Sequence, residues 1–500
     1  MADTKREIER KYESDDSGLP DLTGVAGVAS VVDKGVAHLD ATYYDTPDER
    51  LASASITLRR RTGGSDAGWH LKFPVAQGVR DEIQAPLSDD LPDELAGLVR
   101  SRVRHGELVP VVRLRSDRDV RDLVDADGRL LAEVSVDAVQ AQRLAGGDGG
   151  AQWTEIEVEL ADGVDPVFLD KVEKRLRKAG VRPSKSASKL ARALAETAPK
   201  KLAPGPAADA VTAGDHVLAY VRVQRDAIVE LDPAVRQDAE DSVHSMRVAT
   251  RRMRSTFKSF GKVLDREVTD PIGDELKWLA GELGVDRDRE VLNERLSAAL
   301  DEVPHTLVSG PVAERVSHWA GDRPGGASSR LIGILDSGRY LALLDAVDAL
   351  LADPPLREKA GKKPGKVLPK AVKKDFGKVS ALVEQAVELD PGSDRDVAIH
   401  EARKKTKRTR YAAEAAVPAL GKPAKDLVKT MKSLQNLLGE HQDSVMARQT
   451  LRELSAVAHA AGESAFTYGL LYGREEQRAA AVEEELPGFW DGVKGGTDLL

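Results

Sequence analysis

Glu7, Glu9 and Lys11 alternate with Ile8 and Arg10 near the start of the chain. On an extended strand side chains alternate between faces, so this spacing puts two carboxylates and an ammonium on one side. Neighbouring carboxylates repel, and a face of this kind is matched by a hard divalent cation or by several basic groups opposite it. Further segments repeat the pattern. Thr57, Arg59 and Arg61 share one face and Ile56 and Leu58 the other, while His70 and Lys72 flank Leu71. Glu155, Glu157 and Glu159 alternate with Ile156, Val158 and Leu160, and Glu133, Ser135 and Asp137 behave likewise. Each of these strands is expected to carry one face that is charged throughout.

Two arrangements accommodate such strands. An open sheet can leave its charged face in water. A closed sheet with charged faces inward instead lets carboxylates meet Arg and Lys across a lumen, and the glutamate triplet favours this second form. Glu7, Glu9, Glu157 and Glu159 can then hold one or two divalent cations. Lys11, Arg59, Arg61, Lys72 and a basic residue among Arg113, Arg115 and Arg118 can grip a polyanion beside them, and a linear triphosphate suits both sets.

A second constellation lies far along the chain. His244, Arg247, Arg251 and Arg254 recur as His400, Arg403, Lys407 and Arg410 at the same offsets, and Leu283-Gly284 recurs as Leu438-Gly439. At about 100° per residue each quartet spans about 80° of helix surface over roughly 15 Å. Four cationic groups on one stripe repel unless they face a polyanion or pair with acids such as Asp288, Glu290, Glu440 and Asp443. With only Phe257, Phe260 and Tyr411 nearby, base stacking is poorly served, which argues against sequence-specific nucleic-acid recognition.

The elements that position these residues divide the chain. Residues 1 to 197 read as strand-rich, with Gly63–Gly68 and Gly146–Gly150 as hairpin turns and helices over 168–179 and 187–197. Three prolines within 198–211 mark a linker. Residues 212–495 carry helical periodicity, and the repeated quartets point to two copies of one helical unit. The 500-residue chain has net charge −9, but its basic residues cluster at 59–61, 247–254, 359–374 and 403–410, and local clusters decide local potential. It has no cysteine, which excludes thiolate chemistry and disulfides and fits a reducing cytoplasm. No segment approaches the ~18 apolar residues of a membrane span, and the N-terminus lacks the apolar core of a secretory signal.

At Glu7-x-Glu9-x-Lys11 the sequence resembles the CYTH family of triphosphate tunnel metalloenzymes. Tyr44-Asp45-Thr46, Leu58-Arg-Arg-Arg61, Leu71-Lys72-Phe73, Arg80 with Glu82, Glu157-Val-Glu-Leu160 and Ser188-Lys189 extend the likeness over about residues 1–195. The resemblance implies an eight-stranded antiparallel β tunnel in an α+β domain, and metal-dependent hydrolysis of a terminal phosphate or, in some members, adenylate cyclisation. It further implies Mg²⁺ or Mn²⁺ on Glu7, Glu9, Glu157 and Glu159, with Glu133 or Asp137 as a further contributor. Phosphate oxygens would lie on Lys11, Arg59, Arg61, Lys72, Arg113, Arg118 and Lys185 or Lys189. Arg113 and Arg118 share a face only if a bulge separates them. Direct water attack is expected, with a neighbouring glutamate, or a Lys11 of lowered pKa, as proton acceptor.

The paired His-x₂-Arg-x₃-Arg/Lys-x₂-Arg helices, each followed by Leu-Gly, resemble the CHAD family over about residues 212–495. This implies an all-α domain of two four-helix halves that binds inorganic polyphosphate through His244, Arg247, Arg251, Arg254, His400, Arg403, Lys407 and Arg410. Glu414 stands where the first repeat has Lys258. Together the readings predict a multidomain cytoplasmic triphosphatase acting on inorganic tripolyphosphate and coupled to a polyphosphate binder. The alternatives are a nucleotide cyclase or a non-catalytic polyphosphate-binding protein.

Overall fold

In a computed structural model of the chain, residues 3–14, 18–197, 210–321 and 329–495 are described, the side chains of residues 3 and 286–288 excepted. The expected linker therefore lies outside the described residues, save 210 and 211. Two compact units divide the chain, Met1–Pro206 and Ala207–Leu500.

The first unit is built on strands β1 (Asp3–Ser14), β2 (Ser30–Asp45), β3 (Thr57–Thr62), β4 (Gly68–Ala76), β5 (Val79–Pro86), β6 (Val109–Val124), β7 (Leu130–Arg143), β8 (Gly150–Leu160) and the short β9 (Arg182–Pro183). Their order is β5-β4-β3-β2-β6-β7-β8-β1-β9, and a further β5–β1 pairing closes the first eight into a barrel. Strand β1 makes the closure by changing partner midway: Asp3 to Ile8 pair with β5, and Glu9 to Ser14 pair with β8. The change occurs beside the β4–β5 turn, where Gly78 has φ 72° and its carbonyl accepts from the Glu9 backbone N–H at 2.9 Å. A Cβ there would stand 2.7 Å from the Glu9 carbonyl oxygen, so the turn requires glycine.

The charged faces point inward and the apolar faces outward. Helices α1 (Arg50–Ser53) and α2 (Asp93–Val103) cover the outer face of β3 to β5 through Leu51, Leu95, Leu98 and Val99 on Leu58, Trp69, Leu71 and Ile83. Helix α3 (Val167–Lys178) covers β1, β7 and β8 through Phe168, Val172 and Leu176 on Tyr12, Val134, Ile156 and Val158. The inner face is not charged along its whole length, contrary to the sequence expectation. Tyr43, Leu114, Val139, Ala141 and Trp153 form an apolar patch that packs on Leu190, Ala193 and Leu194 of α4 (Lys189–Thr197). An amphipathic helix is thus seated on the apolar part of the inner face, and its first residue reaches the charged part.

The second unit is all-helical: α5 (Ala213–Arg236), α6 (Ser242–Ser259), α7 (Arg266–Glu282), α8 (Val285–Asp301), α9 (Val312–Ala320), α10 (Ser329–Asp336), α11 (Gly338–Ala352), α12 (Pro364–Glu388), α13 (Ser393–Leu420), α14 (Lys422–Ala460) and α15 (Phe466–Gly495). The repeated quartets fall on α6 and α13, which share one core in which Met246, Met253, Ile399 and Ala402 are buried. The two copies differ at the Leu-Gly pair. Leu283 and Gly284 separate α7 from α8, whereas Leu438 and Gly439 lie within the continuous α14. Among the described residues, no helix is long and apolar enough to cross a membrane.

Candidate functional site

Register decides which residues meet inside the barrel. Arg59 lies opposite Tyr43 and His70, Lys72 opposite Thr57 and Glu82, and Glu7 opposite Arg80. Glu9 lies opposite Glu159, Lys11 opposite Glu157, Glu133 opposite Glu159, and Arg118 opposite Asp137. Directly paired residues share a face, so these side chains belong to one lumen.

Ion pairs knit that lumen together. Lys11 contacts Glu157 and lies 3.0 Å from Glu9, and Lys72 contacts Glu7 and lies 3.4 Å from Glu82. Arg118 donates to both oxygens of Asp137 at 2.8 and 2.9 Å and to Glu157 at 2.8 Å. Lys189, delivered by α4, stands 2.9 Å from Asp137, 2.9 Å from Glu155 and 2.6 Å from Glu157. Burial alone would lower the Lys11 pKa, but Glu157 and Glu9 outweigh it and the net shift is upward. The shift thus favours the ammonium form and speaks for a glutamate over Lys11, the two proton acceptors left open by the sequence.

Charge is unevenly balanced along the lumen. Glu7 is pushed up to about 7, chiefly by burial, which Lys72 only partly offsets and to which Glu82 and Glu159 add. Glu133 is also raised, by burial and by Glu159. Arg61, in contrast, is brought down to about 9 by burial and by the nearby Arg59 and Arg118, although it contacts Asp66. One zone is thus under-supplied with cations and another with anions. An anion carrying its own divalent cation relieves both at once.

The donor set fits such a cation. It consists of carboxylate oxygens alone, the ligands that hard Mg²⁺ and Mn²⁺ take. Oxygens of Asp137, Glu155 and Glu157 lie within 4.8 Å of one another, but the Lys189 ammonium already contacts all three. Glu7, Glu133 and Glu159 form no ion pair with that ammonium: Glu7 contacts Lys72, and Glu159 pairs with the half-exposed Lys5 at 2.6 Å.

Two sequence-based assignments differ from the structure. Arg113 faces outward, where it pairs with Asp40 at 2.5 Å. The β6–β7 register is unbroken from Val112 to Leu123, so no bulge separates Arg113 from Arg118 and period-two alternation puts them on opposite faces. Lys185 is exposed between β9 and α4, and Lys189 is the lysine that enters the cluster.

Four lumen residues have no site role in the sequence reading, although Glu155 falls on a charged face there and Arg80 and Glu82 are among the matched motif residues. Glu82 pairs with Lys72 at 3.4 Å and with Arg59 at 3.8 Å, and lies 2.9 Å from His70 Nδ1. Arg80 reaches 4.0 Å from Glu9 and donates to the Ala187 carbonyl at 2.9 Å. Glu155 holds Lys189, and Lys5 holds Glu159. Their parity relative to Lys72, Glu157 and Glu7 was the available signal. Asp45 acts on the backbone instead of the lumen, since its carboxylate accepts N–H bonds from Thr46, Leu51 and Ala52 at 2.7 to 2.8 Å and so holds the turn into α1.

In the helical unit, α6 carries His244, Arg247, Arg251 and Arg254, and α13 carries His400, Arg403, Lys407 and Arg410. Lys407 is brought down to about 7 by burial and by Arg403, Arg251 and Arg247, so cations from both repeats converge on it. Of the acids expected to balance the stripe, one is engaged elsewhere and another lies beside it. Glu440 pairs with Arg295 at 2.6 Å, and Asp443 is a half-buried carboxyl near Arg403 and Lys407, raised by its burial. Asp288 has its side chain outside the described residues. His400 Nδ1 lies 2.6 Å from Gln442 Oε1. Glu414 accepts from Tyr220 at 2.8 Å and faces Arg252 at 3.2 Å and Arg410 at 3.5 Å, which accounts for the acid in that position.

Comparison with known proteins gives the following. The family model of the CYTH domain matches residues 5–194 and that of the CHAD domain residues 219–452. Uncharacterized proteins from two strains of Mycobacterium tuberculosis are each 39% identical over 496 residues, covering 96% of this chain and 94% of theirs. Among solved structures, PptA from Streptomyces chartreusis is 21% identical, covers 56% of this chain and 99% of its own, and has a TM-score of 0.48. The CHAD domain from the plant Ricinus communis is 22% identical, with coverages of 59% and 97% and a TM-score of 0.44. The putative adenylyl cyclase HpAC1 from Hippeastrum, described as having a dominant triphosphatase activity, is 17% identical, with coverages of 40% and 98% and a TM-score of 0.23.

Proposed function

The chain belongs to the family that joins a CYTH domain to a CHAD domain, and from that membership we propose that it is a metal-dependent inorganic triphosphatase coupled to a polyphosphate-binding helical domain. CYTH enzymes are triphosphatases or cyclases and are generally metal-dependent. The observation that carries the reading is the closed barrel in which Glu7 and Lys72 are in contact and Arg118 bridges Asp137 and Glu157.

In this reading residues 1–197 form the tunnel domain, 198–211 the linker and 212–495 the polymer-binding domain. Glu7, Glu9, Glu157 and Glu159 hold Mg²⁺ or Mn²⁺, with Glu133 closing the set and Asp137 orienting Arg118. A bound divalent ion supplies charge neutralisation on the phosphate oxygens. Lys11, Arg59, Arg61, Lys72, Arg118 and Lys189 clamp the triphosphate and stabilise charge on the leaving pyrophosphate. With Lys11 held as an ammonium, a lumen carboxylate takes the proton of the attacking water. The products are pyrophosphate and orthophosphate. Inorganic tripolyphosphate is the preferred substrate, since the inner-face aromatics Tyr43 and Trp153 are buried against α4 and not presented for base stacking, and the cysteine-free chain suits the reducing cytoplasm. The stripe on α6 and α13 binds polyphosphate, and a shared chain keeps captured polymer at high effective concentration near the tunnel.

Purified protein with Mg²⁺ or Mn²⁺ is expected to release orthophosphate from tripolyphosphate, and Glu9→Ala to abolish release. Absence of release under both ions overturns the proposal. Chromatography of products from ATP separates this chemistry from a cyclase: cyclic nucleotide with pyrophosphate marks the second.

A further inference from the structure

The lysines of 359–374 are not used by either site above. They line a groove of about 490 Å³ in the helical unit, with Lys258, Lys262 and Arg266 on one bank and Lys366, Lys370 and Lys374 on the other. The second set recurs every four residues near the start of α12, so one stripe of the helix faces the first bank. Some of the surrounding charge is neutralised: Arg266 pairs with Asp270 at 2.7 Å and Lys362 with Glu358 at 2.6 Å. Among the described residues, Lys258, Lys262, Lys366, Lys370 and Lys374 form no ion pair. The carboxylate next to Lys374, Asp375, is buried and held by Arg408 at 3.0 Å and Ser259 at 2.6 Å.

Lys258 is also the junction between this groove and the stripe. It stands one helical turn beyond Arg254 on α6, and Arg254 and Arg408 are close enough to add to the effect of burial in lowering its pKa. The cationic surface therefore runs from His244 through Arg254 to Lys258 and on between the banks. The groove exposes no aromatic platform, since its one aromatic lining residue, Phe260, is 1% exposed, so stacked bases gain nothing there. Lysines are mobile point charges that suit a phosphate chain of no fixed register.

We propose that the groove is a second segment of one anion track, and that a linear polyphosphate long enough to fill the stripe continues past Lys258 into it. The helical domain thereby distinguishes long chains from short ones, because tripolyphosphate is held by the stripe and is too short to reach on into the groove. This inference rests on the proposed reading of the stripe.

The test uses the full-length chain carrying Lys366→Gln, Lys370→Gln and Lys374→Gln, exposed positions where Gln keeps the helix. Binding of a short oligophosphate and of a long polyphosphate is measured across salt concentrations, with thermal unfolding as the folding control. The expected result is at least a tenfold loss for the long chain and a salt slope smaller by about 2, three contacts at about 0.7 each, with the short chain bound as in wild type. Unchanged long-chain affinity, an equal loss for both lengths, or a larger loss for single-stranded RNA than for polyphosphate overturns it. Arg251→Ala with Arg403→Ala separates the two readings. Loss of short-chain binding there supports the track, whereas retained short-chain binding overturns the stripe itself, a failure distinct from any of the groove.

Discussion

The guanidinium of Arg403 packs on Gly439, its Nη2 3.1 Å from the point where a Cβ would stand, and Arg247 packs on Gly284 in the same way at 2.7 Å. The histidine–arginine stripe and the Leu-Gly pair about 40 residues later are thus two halves of one contact, which is why they repeat together.

Gly439→Ala separates stability from binding. Alanine gains up to about 1 kcal/mol of helix propensity within α14, while its methyl, 3.1 Å from Arg403 Nη2, forces the guanidinium to shift within the stripe. Thermal unfolding is expected to be unchanged or higher, with polyphosphate affinity reduced several-fold.

Lys407, near 7 in the free protein through burial and its arginine neighbours, gives polymer binding a pH dependence. A bound phosphate chain favours the ammonium, so binding at pH 8 takes up a proton, and affinity falls as pH rises above 7. Calorimetry in buffers of different ionisation enthalpy reads the uptake, and Lys407→Gln removes it. Stability of the free domain has the opposite sign. Between about 7 and the ordinary lysine value of 10.5 the unfolded chain holds a proton the folded one lacks, so stability rises with pH in that window.

Lys189→Ala leaves Asp137, Glu155 and Glu157 without their shared ammonium. A loss of about 3 kcal/mol is expected at neutral pH. Because their oxygens already lie within 4.8 Å of one another, Mn²⁺ should raise the unfolding temperature of this variant more than that of wild type. An equal rise in both proteins would count against the arrangement.

Arg118→Ala and Arg113→Ala form a matched pair on one strand. The first removes a lumen cation held by Asp137 and Glu157 and is expected to lower tripolyphosphate hydrolysis by 100-fold or more, about 2.7 kcal/mol. The second removes an outer ion pair with Asp40 and should leave the rate within twofold.

Asp45→Ala strands three backbone N–H groups at the turn into α1. The expected cost is about 1–3 kcal/mol, read by denaturant unfolding of the full chain.

Much of the fold and of the candidate site was legible along the chain. Alternation marked Arg59, Arg61, Lys72, Glu157 and Glu159 as sharing charged faces, and glycine clusters marked the β3–β4 and β7–β8 turns. The repeated quartet and Leu-Gly pair identified two helical copies. Glu82 and Arg80 were harder to assign because the eight-residue β5 gains its meaning only from pairing with both β4 and β1. The apolar end of the lumen was hidden for a similar reason. Leu190 and Leu194 read as an ordinary amphipathic helix until their partner surface is known.

Sequence by itself determined which side chains share a face, because strand and helix periodicities are local properties of the backbone. It thereby determined that acids and bases would crowd together somewhere. Only the tertiary structure decided which acid meets which base. Whether Arg113 or Arg118 reaches the lumen depends on an unbroken register between strands, and the presence of Lys189 beside Glu157 depends on where α4 finds its apolar seat. Both are contacts between residues far apart in the chain, and no local rule contains them.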